Sequence, residues 1–305
     1  MTQSFLAVGE CMVEMAQTEG GLYRRGFAGD TFNTAWYARR LLPGDWSVAY
    51  GSAIGTDAIS DEMAAFFEAE GLDISALARI EGRSPGLYMI SLDRGERSFS
   101  YWRSHSAARL LADDAERLQG MLEDRDVVHF SGITLAILAP EARIRLCNAL
   151  REARARGARV CFDTNLRPRL WEGAEAMRQG ILMGAAAADI VLPSFDEDSE
   201  LFGDAAADDT ITRYSGQGAQ EVVVKDGAGA LTIWTEEGGK TVLSPEPVEP
   251  VDTTAAGDSF AAGWLAARAM GEGPEEAGRR AMALAAKVIG AHGALVPQIF
   301  EGGEA

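Results

Sequence analysis

The chain is short of cysteine and of cations, and it has no long apolar run. Cys11, Cys147 and Cys161 are odd in number and widely spaced. They fit neither a disulfide framework nor a zinc-ligand spacing, so a reducing, cytoplasmic setting is expected. Met1 to Glu10 has no basic stretch ahead of an apolar one, and no apolar run approaches the ~20 residues of a membrane-spanning helix. Neither a signal peptide nor a membrane segment is expected. Lys and Arg number 28 against 46 Asp and Glu, a net charge of −18. That excess argues against nucleic acid and anionic membranes as partners. It also opposes anionic substrates, so any phosphate or carboxylate site needs local Arg or Lys. Two nucleotide motifs are missing as well. No Gly-x-x-x-x-Gly-Lys-Ser/Thr occurs, and the first strand runs into Gly9-Glu10-Cys11-Met12 rather than Gly-x-Gly-x-x-Gly. P-loop kinases and nicotinamide dehydrogenases are set aside on those grounds.

What is present points to a large α/β protein. With 305 residues and 47% hydrophobic content, the chain can bury a sizeable core. Apolar strand-like runs at 5–8, 47–54, 126–130, 159–163, 189–192, 221–224 and 230–234 alternate with helical spacing at 31–42, 57–70, 140–156, 259–270 and 274–289. Such alternation predicts a mostly parallel sheet covered on both faces. Gly86–Leu92 and Ser98–Arg103 flank Asp93-Arg94-Gly95-Glu96, a hairpin signal that leaves the main sheet. The acidic tail 301–305 is expected to fray. The polar and glycine-rich positions Gly9-Glu10, Ser131-Gly132, Asp163-Thr164-Asn165, Pro193-Ser194 and Lys225-Asp226-Gly227 all follow strands. In an open parallel sheet they share the edge where ligands bind.

The most informative stretch is Asp252-Thr253-Thr254-Ala255-Ala256-Gly257-Asp258-Ser259-Phe260. Small residues open into an Ala-rich segment read as an amphipathic helix. Backbone N–H groups at a helix start, with the dipole behind them, form an anion site. A carboxylate beside a bound phosphate repels it, so Asp258 needs a purpose. Taking the proton from a hydroxyl that attacks the phosphate is one; a favourable first-turn acid is the other reading.

The string resembles the signature of the ribokinase-like (phosphofructokinase-B) carbohydrate kinases, most closely their 2-keto-3-deoxygluconate kinase branch. The family's Gly-Ala-Gly-Asp stands here as Ala255-Ala256-Gly257-Asp258, and the Gly-to-Ala change is tolerable if Ala255 takes a negative φ. The resemblance implies a three-layer α/β/α sandwich spanning 1–305 as one kinase domain, with a small β lid from about 10–28 and 82–106. It implies Asp258 as general base, with the Ala255, Ala256, Gly257 and Asp258 N–H groups holding the transferred phosphoryl group. Gly29-Asp30-Thr31-Phe32-Asn33 matches the sugar-binding segment, with Ala28 in place of the first glycine; read on its own, Asp30 or Thr31 could be only a helix cap. Tyr101-Trp102-Arg103, with Tyr88 on the partner strand, and Arg167 in Asp163-Thr164-Asn165-Leu166-Arg167-Pro168-Arg169-Leu170-Trp171 match substrate contacts. Alternation places Phe99, Tyr101 and Arg103 on one face. Ser194, Lys225, Gly227, Gly229 and Gly293 match nucleotide contacts, although Lys225-Asp226-Gly227-Ala228-Gly229 alone reads equally as a hairpin turn. Glu197 matches a carboxylate that reaches Mg²⁺ through water, while Ser194 replaces the family's Asn. His105 receives no role.

The implied activity is ATP- and Mg²⁺-dependent phosphorylation of a sugar acid at its primary hydroxyl, with a homodimer or higher assembly formed through the lid. A fructokinase or ribokinase specificity is the alternative within the family. A non-catalytic sugar sensor is the alternative outside it.

Overall fold

The computed structural model describes residues 2–93 and 96–301. The tip of the expected hairpin, 94–95, and the end of the acidic tail, 302–305, lie outside these. The elements run β1 (Ser4–Val8), β2 (Met12–Gln17), β3 (Tyr23–Ala28), α1 (Asp30–Leu41), β4 (Ser47–Ile54), α2 (Ala58–Ala69), β5 (Leu77–Arg79), β6 (Leu87–Asp93) and β7 (Glu96–Trp102). Then come α3 (Ala115–Met121), β8 (Val127–Ser131), α4 (Gly132–Ile137), α5 (Pro140–Ala155), β9 (Arg159–Asp163), α6 (Ala174–Ala185), β10 (Ile190–Leu192), α7 (Phe195–Phe202) and α8 (Ala207–Ser215). The chain closes with β11 (Glu221–Val224), β12 (Leu231–Thr235), β13 (Gly239–Leu243), α9 (Ala256–Ala269) and α10 (Pro274–Ile289).

Nine strands form the main sheet in the order β13-β12-β11-β10-β9-β8-β1-β4-β5. Pairing is parallel from β11 to β5 and antiparallel from β11 through β13. β1 is buried throughout, as the strand of a doubly covered sheet must be. Its side chains alternate between two cores. Leu6 and Val8 join Phe130, Phe162 and Val191 under α3–α8, while Phe5 and Ala7 join Tyr50, Ile190 and Leu192 under α1, α2, α9 and α10. This is the three-layer mixed α/β architecture expected from the alternation.

Strand order reverses beside β1. From there the chain builds outward through β4 and β5 on one side and through β8, β9, β10 and β11 on the other. A crevice therefore opens past Val8 and Ser131, the topological switch point at which such sheets bind ligands.

A second, four-stranded sheet runs β3-β2-β6-β7. Its β2–β6 pairing is parallel and its other two pairings are antiparallel. One side packs through Met12, Ala28, Tyr88 and Ile90 against Ala294 and Ala255, close to the start of α9. Phe99, Tyr101 and Trp102 on β7 stay 45%, 54% and 57% exposed. Phe99 and Tyr101 stack with centroids 6.2 Å apart, so they do share a face.

One expectation about α9 fails. Residues 259–267 are all buried, so the helix is enclosed rather than amphipathic. Its Ala and Gly residues serve close packing: a Cβ added at Gly263 would lie 2.9 Å from Ala281 Cα on α10.

Candidate active site

Asp258 lies in the first turn of α9 and projects into the crevice wall formed by α1. Asn33 Nδ2 donates to its Oδ2 at 2.8 Å, and Thr34 Oγ1 donates to its carbonyl at 3.2 Å. Burial and the nearby Asp30 and Asp163 carboxylates push the Asp258 carboxyl up to about 7, against the pull of Asn33 and Lys225. A carboxylate with that affinity for protons is a competent base near neutral pH.

The turn before it departs from expectation. Ala255 sits in the left-handed region at φ 62°, ψ 16°, not at the negative φ that would excuse an alanine. Its Cβ crowds the backbone there at a cost of about 1–2 kcal/mol, held by the packing of Ala255 on the small sheet. The N–H set is also smaller than expected. Ala256 N donates to Thr253 O at 3.3 Å, which leaves the Ala255, Gly257 and Asp258 N–H groups without acceptors among the described residues. Asp252 fastens this turn, accepting from Thr254 N at 3.1 Å and Oγ1 at 2.7 Å through one oxygen and from Gly293 N at 2.8 Å through the other. Gly293, at φ 94°, is thus tied to the same loop.

The rest of the wall comes from strand ends. Gly29 has to be glycine, since a Cβ there would lie 2.1 Å from Glu10 O. Asp30 is not the cap of α1. Its side chain accepts from Asn165 Nδ2 at 2.9 Å, and burial raises its carboxyl above the usual carboxylate range. Asn165 itself is bent to φ 32°. Lys225 Nζ lies 3.0 Å from Asp163 Oδ1, and it is the nearest atom, at 3.8 Å, to a Cβ placed on Gly257. It is the cation beside the anion turn. Gly227, at φ 50°, and Gly229 shape the β11–β12 turn that follows. Ser194 opens α7 beside Lys225 through an isolated parallel bridge.

The proposed substrate arginines are already engaged. Arg103 pairs with Glu10, with side-chain exposures of 11% and 1%. Arg167 Nη1 donates to Glu197 Oε1 at 2.8 Å, and Leu166 N donates to Glu197 Oε2 at 2.9 Å. Tyr88 donates to Glu14 and lies 6.0 Å, centroid to centroid, from Tyr101. Glu10, Asp163, Asn165 and Asp252 received no individual role from sequence. Strand-end position marks the first three, and nothing local marks Asp252. No cluster of three or more His, Cys, Asp or Glu able to hold a metal occurs among the described residues. Glu197 retains lone pairs beyond its two donors, which suits contact with Mg²⁺ through water rather than direct ligation.

The arrangement can activate a hydroxyl and stabilise a phosphoryl group beside it. Known proteins agree. Residues 2–299 match the pfkB family of carbohydrate kinases. The chain is 40% identical to the 2-dehydro-3-deoxygluconokinase of Dickeya dadantii, covering 97% of both chains, and 41% identical to that of Escherichia coli, covering 98% of both. Among solved structures it superposes on a fructokinase from Xylella fastidiosa with bound ATP at a TM-score of 0.84, with 26% identity over 96% of this chain and 94% of that one. The chain therefore belongs to the pfkB family of carbohydrate kinases.

Proposed function

We propose that this kinase transfers the γ-phosphoryl group of ATP to the primary hydroxyl of 2-keto-3-deoxygluconate. The observation that carries the chemistry is Asp258, a carboxylate of raised proton affinity at the mouth of an N–H-lined helix start. Kinship with enzymes named for this acceptor supports the substrate. The acceptor lies over Gly29, with its hydroxyl at Asp258 and its far end toward Tyr101 and Arg103. Asp258 removes the hydroxyl proton as the oxygen bonds to the γ-phosphorus and the bond from that phosphorus to the β,γ-bridging oxygen breaks, releasing ADP. The Ala255, Gly257 and Asp258 N–H groups face the charge on the phosphoryl oxygens, and Lys225 adds its ammonium. Lys225, Gly227, Gly229, Ser194 and Gly293 border the nucleotide. Glu197 would hold Mg²⁺ through water, and the ion would supply neutralising charge for the phosphates. Tyr88, packed on Tyr101, and Arg167, which also holds Glu197, contact the acceptor along with Tyr101 and Arg103.

The small sheet is the lid over this acceptor, and the chain acts as one kinase domain. Its exposed Phe99, Tyr101 and Trp102 are apolar surface that a second copy's lid covers, giving a homodimer. No helix among the described residues is long and apolar enough to cross a membrane, and the three cysteines are free and buried, as a reducing cytoplasm allows. The deciding experiment is ATP turnover with 2-keto-3-deoxygluconate, fructose and ribose in parallel. A higher kcat/KM for the sugar acid is expected. Preference for fructose would replace the proposal with a fructokinase, and no turnover with any acceptor would favour a sensor.

A further inference from the structure

From the acceptor wall, α1 reaches the loop that joins α10 to the turn at Pro297–Phe300. Asn33 and Tyr37 are four residues apart on this helix and share one face. Asn33 meets Asp258. Tyr37 is fully buried, and its hydroxyl serves the loop. The Oη donates to Ala294 O at 2.8 Å and accepts from Val296 N at 3.2 Å. Burial raises the proton affinity of this hydroxyl, so it remains a donor at any working pH. The ring packs on Trp36 and Phe300, with centroids 4.9 and 6.3 Å away. That packing fixes where the hydroxyl can be.

Residues 290–296 form no helix or strand, so their backbone groups need partners elsewhere in the protein. Gly293 N bonds to Asp252 Oδ2 at 2.8 Å, and the other oxygen of Asp252 holds Thr254. A run of contacts therefore leaves α1 at Tyr37 and passes through 294–296, Gly293 and Asp252 to the turn before Asp258. There Asn33 closes it back onto α1. Ala294 also packs on Met12, Ala28, Tyr88 and Ile90 of the small sheet. An apolar side chain at position 37 would suit the surrounding core but would leave Ala294 O and Val296 N unpaired. We propose that Tyr37 is a positioning residue for the nucleotide. Its hydroxyl holds Gly293 and, through Asp252, the phosphoryl-facing turn at a set distance from the acceptor. This rests on the reading of Gly293 and the 255–258 turn as nucleotide contacts. A loop freed from Tyr37 must be ordered when the nucleotide binds, which weakens binding. A turn held less firmly also stabilises the transferred phosphoryl group less. The acceptor contacts at Gly29 and Asn33 do not depend on the loop.

The test is Tyr37→Phe in the full chain, which keeps the ring and removes the hydroxyl. Calorimetric titration with Mg·ATP reads the nucleotide side without any acceptor. Loss of one hydrogen bond predicts a Kd about three- to ten-fold higher. Steady-state kinetics with the acceptor that the wild type prefers should show kcat falling and the KM for ATP rising, while the KM for the acceptor holds. Ile190→Val, in the same core but on β10, controls for a general loss of packing and should leave both KM values alone. Amide exchange supplies a reading that does not need the variant. In the wild type, Gly293 and Val296 should be protected together, and Mg·ATP alone should protect them further. An unchanged Kd for Mg·ATP in the folded variant overturns the positioning role and leaves the kinase reading intact. So does an equal rise in both KM values, or a loop whose exchange ignores Mg·ATP. A wild type that does not bind Mg·ATP overturns this role and the nucleotide reading together.

Discussion

Replacing Asp258 by Asn separates catalysis from stability, because the fold works against the charge the chemistry needs. The Asp258 carboxyl rises from 3.8 to about 7. At ~1.36 kcal/mol per pH unit, that gap sets a ceiling of about 4 kcal/mol against the ionised form in the folded state. The side chain is only half-buried, so solvent screening reduces the expected penalty to roughly 2 kcal/mol. The sign follows from proton linkage. Between the unfolded value of 3.8 and the folded value of about 7, the folded protein holds a proton that the unfolded chain has released. Stability from this group therefore falls as pH rises through that window. Asp258→Asn abolishes the fall. Its carboxamide oxygen can still accept from Asn33, so the hydrogen bond survives. Urea unfolding should show the variant more stable than wild type at pH 8, with a smaller advantage at pH 5. Turnover should drop about 10²–10⁴-fold, the usual contribution of a positioned base. Near-normal turnover in the folded variant would remove Asp258 from the mechanism. An equal stability difference at both pH values would refute the electrostatic account.

Three further outcomes follow from the same geometry. Wild-type kcat/KM should rise with pH through about 7 as Asp258 ionises, and Asp30→Asn should move that limb to lower pH, because Asp30 is the charge that raises it most; an unmoved limb would mean that Asp30 is neutral or too well screened. Ala255→Gly should relieve the left-handed strain at φ 62° and stabilise the protein by about 0.5–1 kcal/mol, the strain less the extra chain entropy of glycine; a lower denaturation midpoint would show that Ala255 packing on the lid outweighs its backbone. Sedimentation at micromolar concentration should find a homodimer that Trp102→Glu dissociates, and a monomeric wild type would sink the lid-to-lid assembly.

Much of this fold was legible because buried parallel strands are written as apolar runs. β4, β9 and β11 have the bounds their composition suggests, and so do α10 and, within a residue, α5 between Pro140 and Gly157. α6 escaped because its core face is built from absence. Gly180 and Gly184 make room for Trp171 and Phe162, with hypothetical Cβ atoms at 2.2 and 2.7 Å from those rings, and such a face carries little hydrophobic periodicity. β13 escaped as a short edge strand with Gly239 and Lys240 at its start. Within the site, the helix start and the strand ends could be read from local chemistry. The pairings could not. Asn33 reaches Asp258 across 225 residues, and Arg103 reaches Glu10 across 93. Only the folded chain reveals that the arginines most like substrate ligands are already bound to carboxylates.

That division of charge accounts for how so acidic a chain can act on two anions. Asp30, Asp163 and Asp258 crowd the crevice, where a triphosphate must also come. Burial first, and repulsion from Asp30 and Asp163 second, keep the Asp258 proton affinity near neutral pH, which a lone exposed Asp, near 3.9, would not have. Removing these acids would ease nucleotide approach and weaken the base together. Lys225, paired with Asp163, places one cation beside the anion turn without abolishing the negative field on Asp258. The proposed carboxylate-bearing acceptor needs the opposite field at its far end, toward Tyr101 and Arg103. One end of the acceptor can then be held by positive charge while the other end meets a base kept strong by negative charge. A single uniformly basic pocket could not do this, because the arginines that attracted the acid would also lower the proton affinity of Asp258.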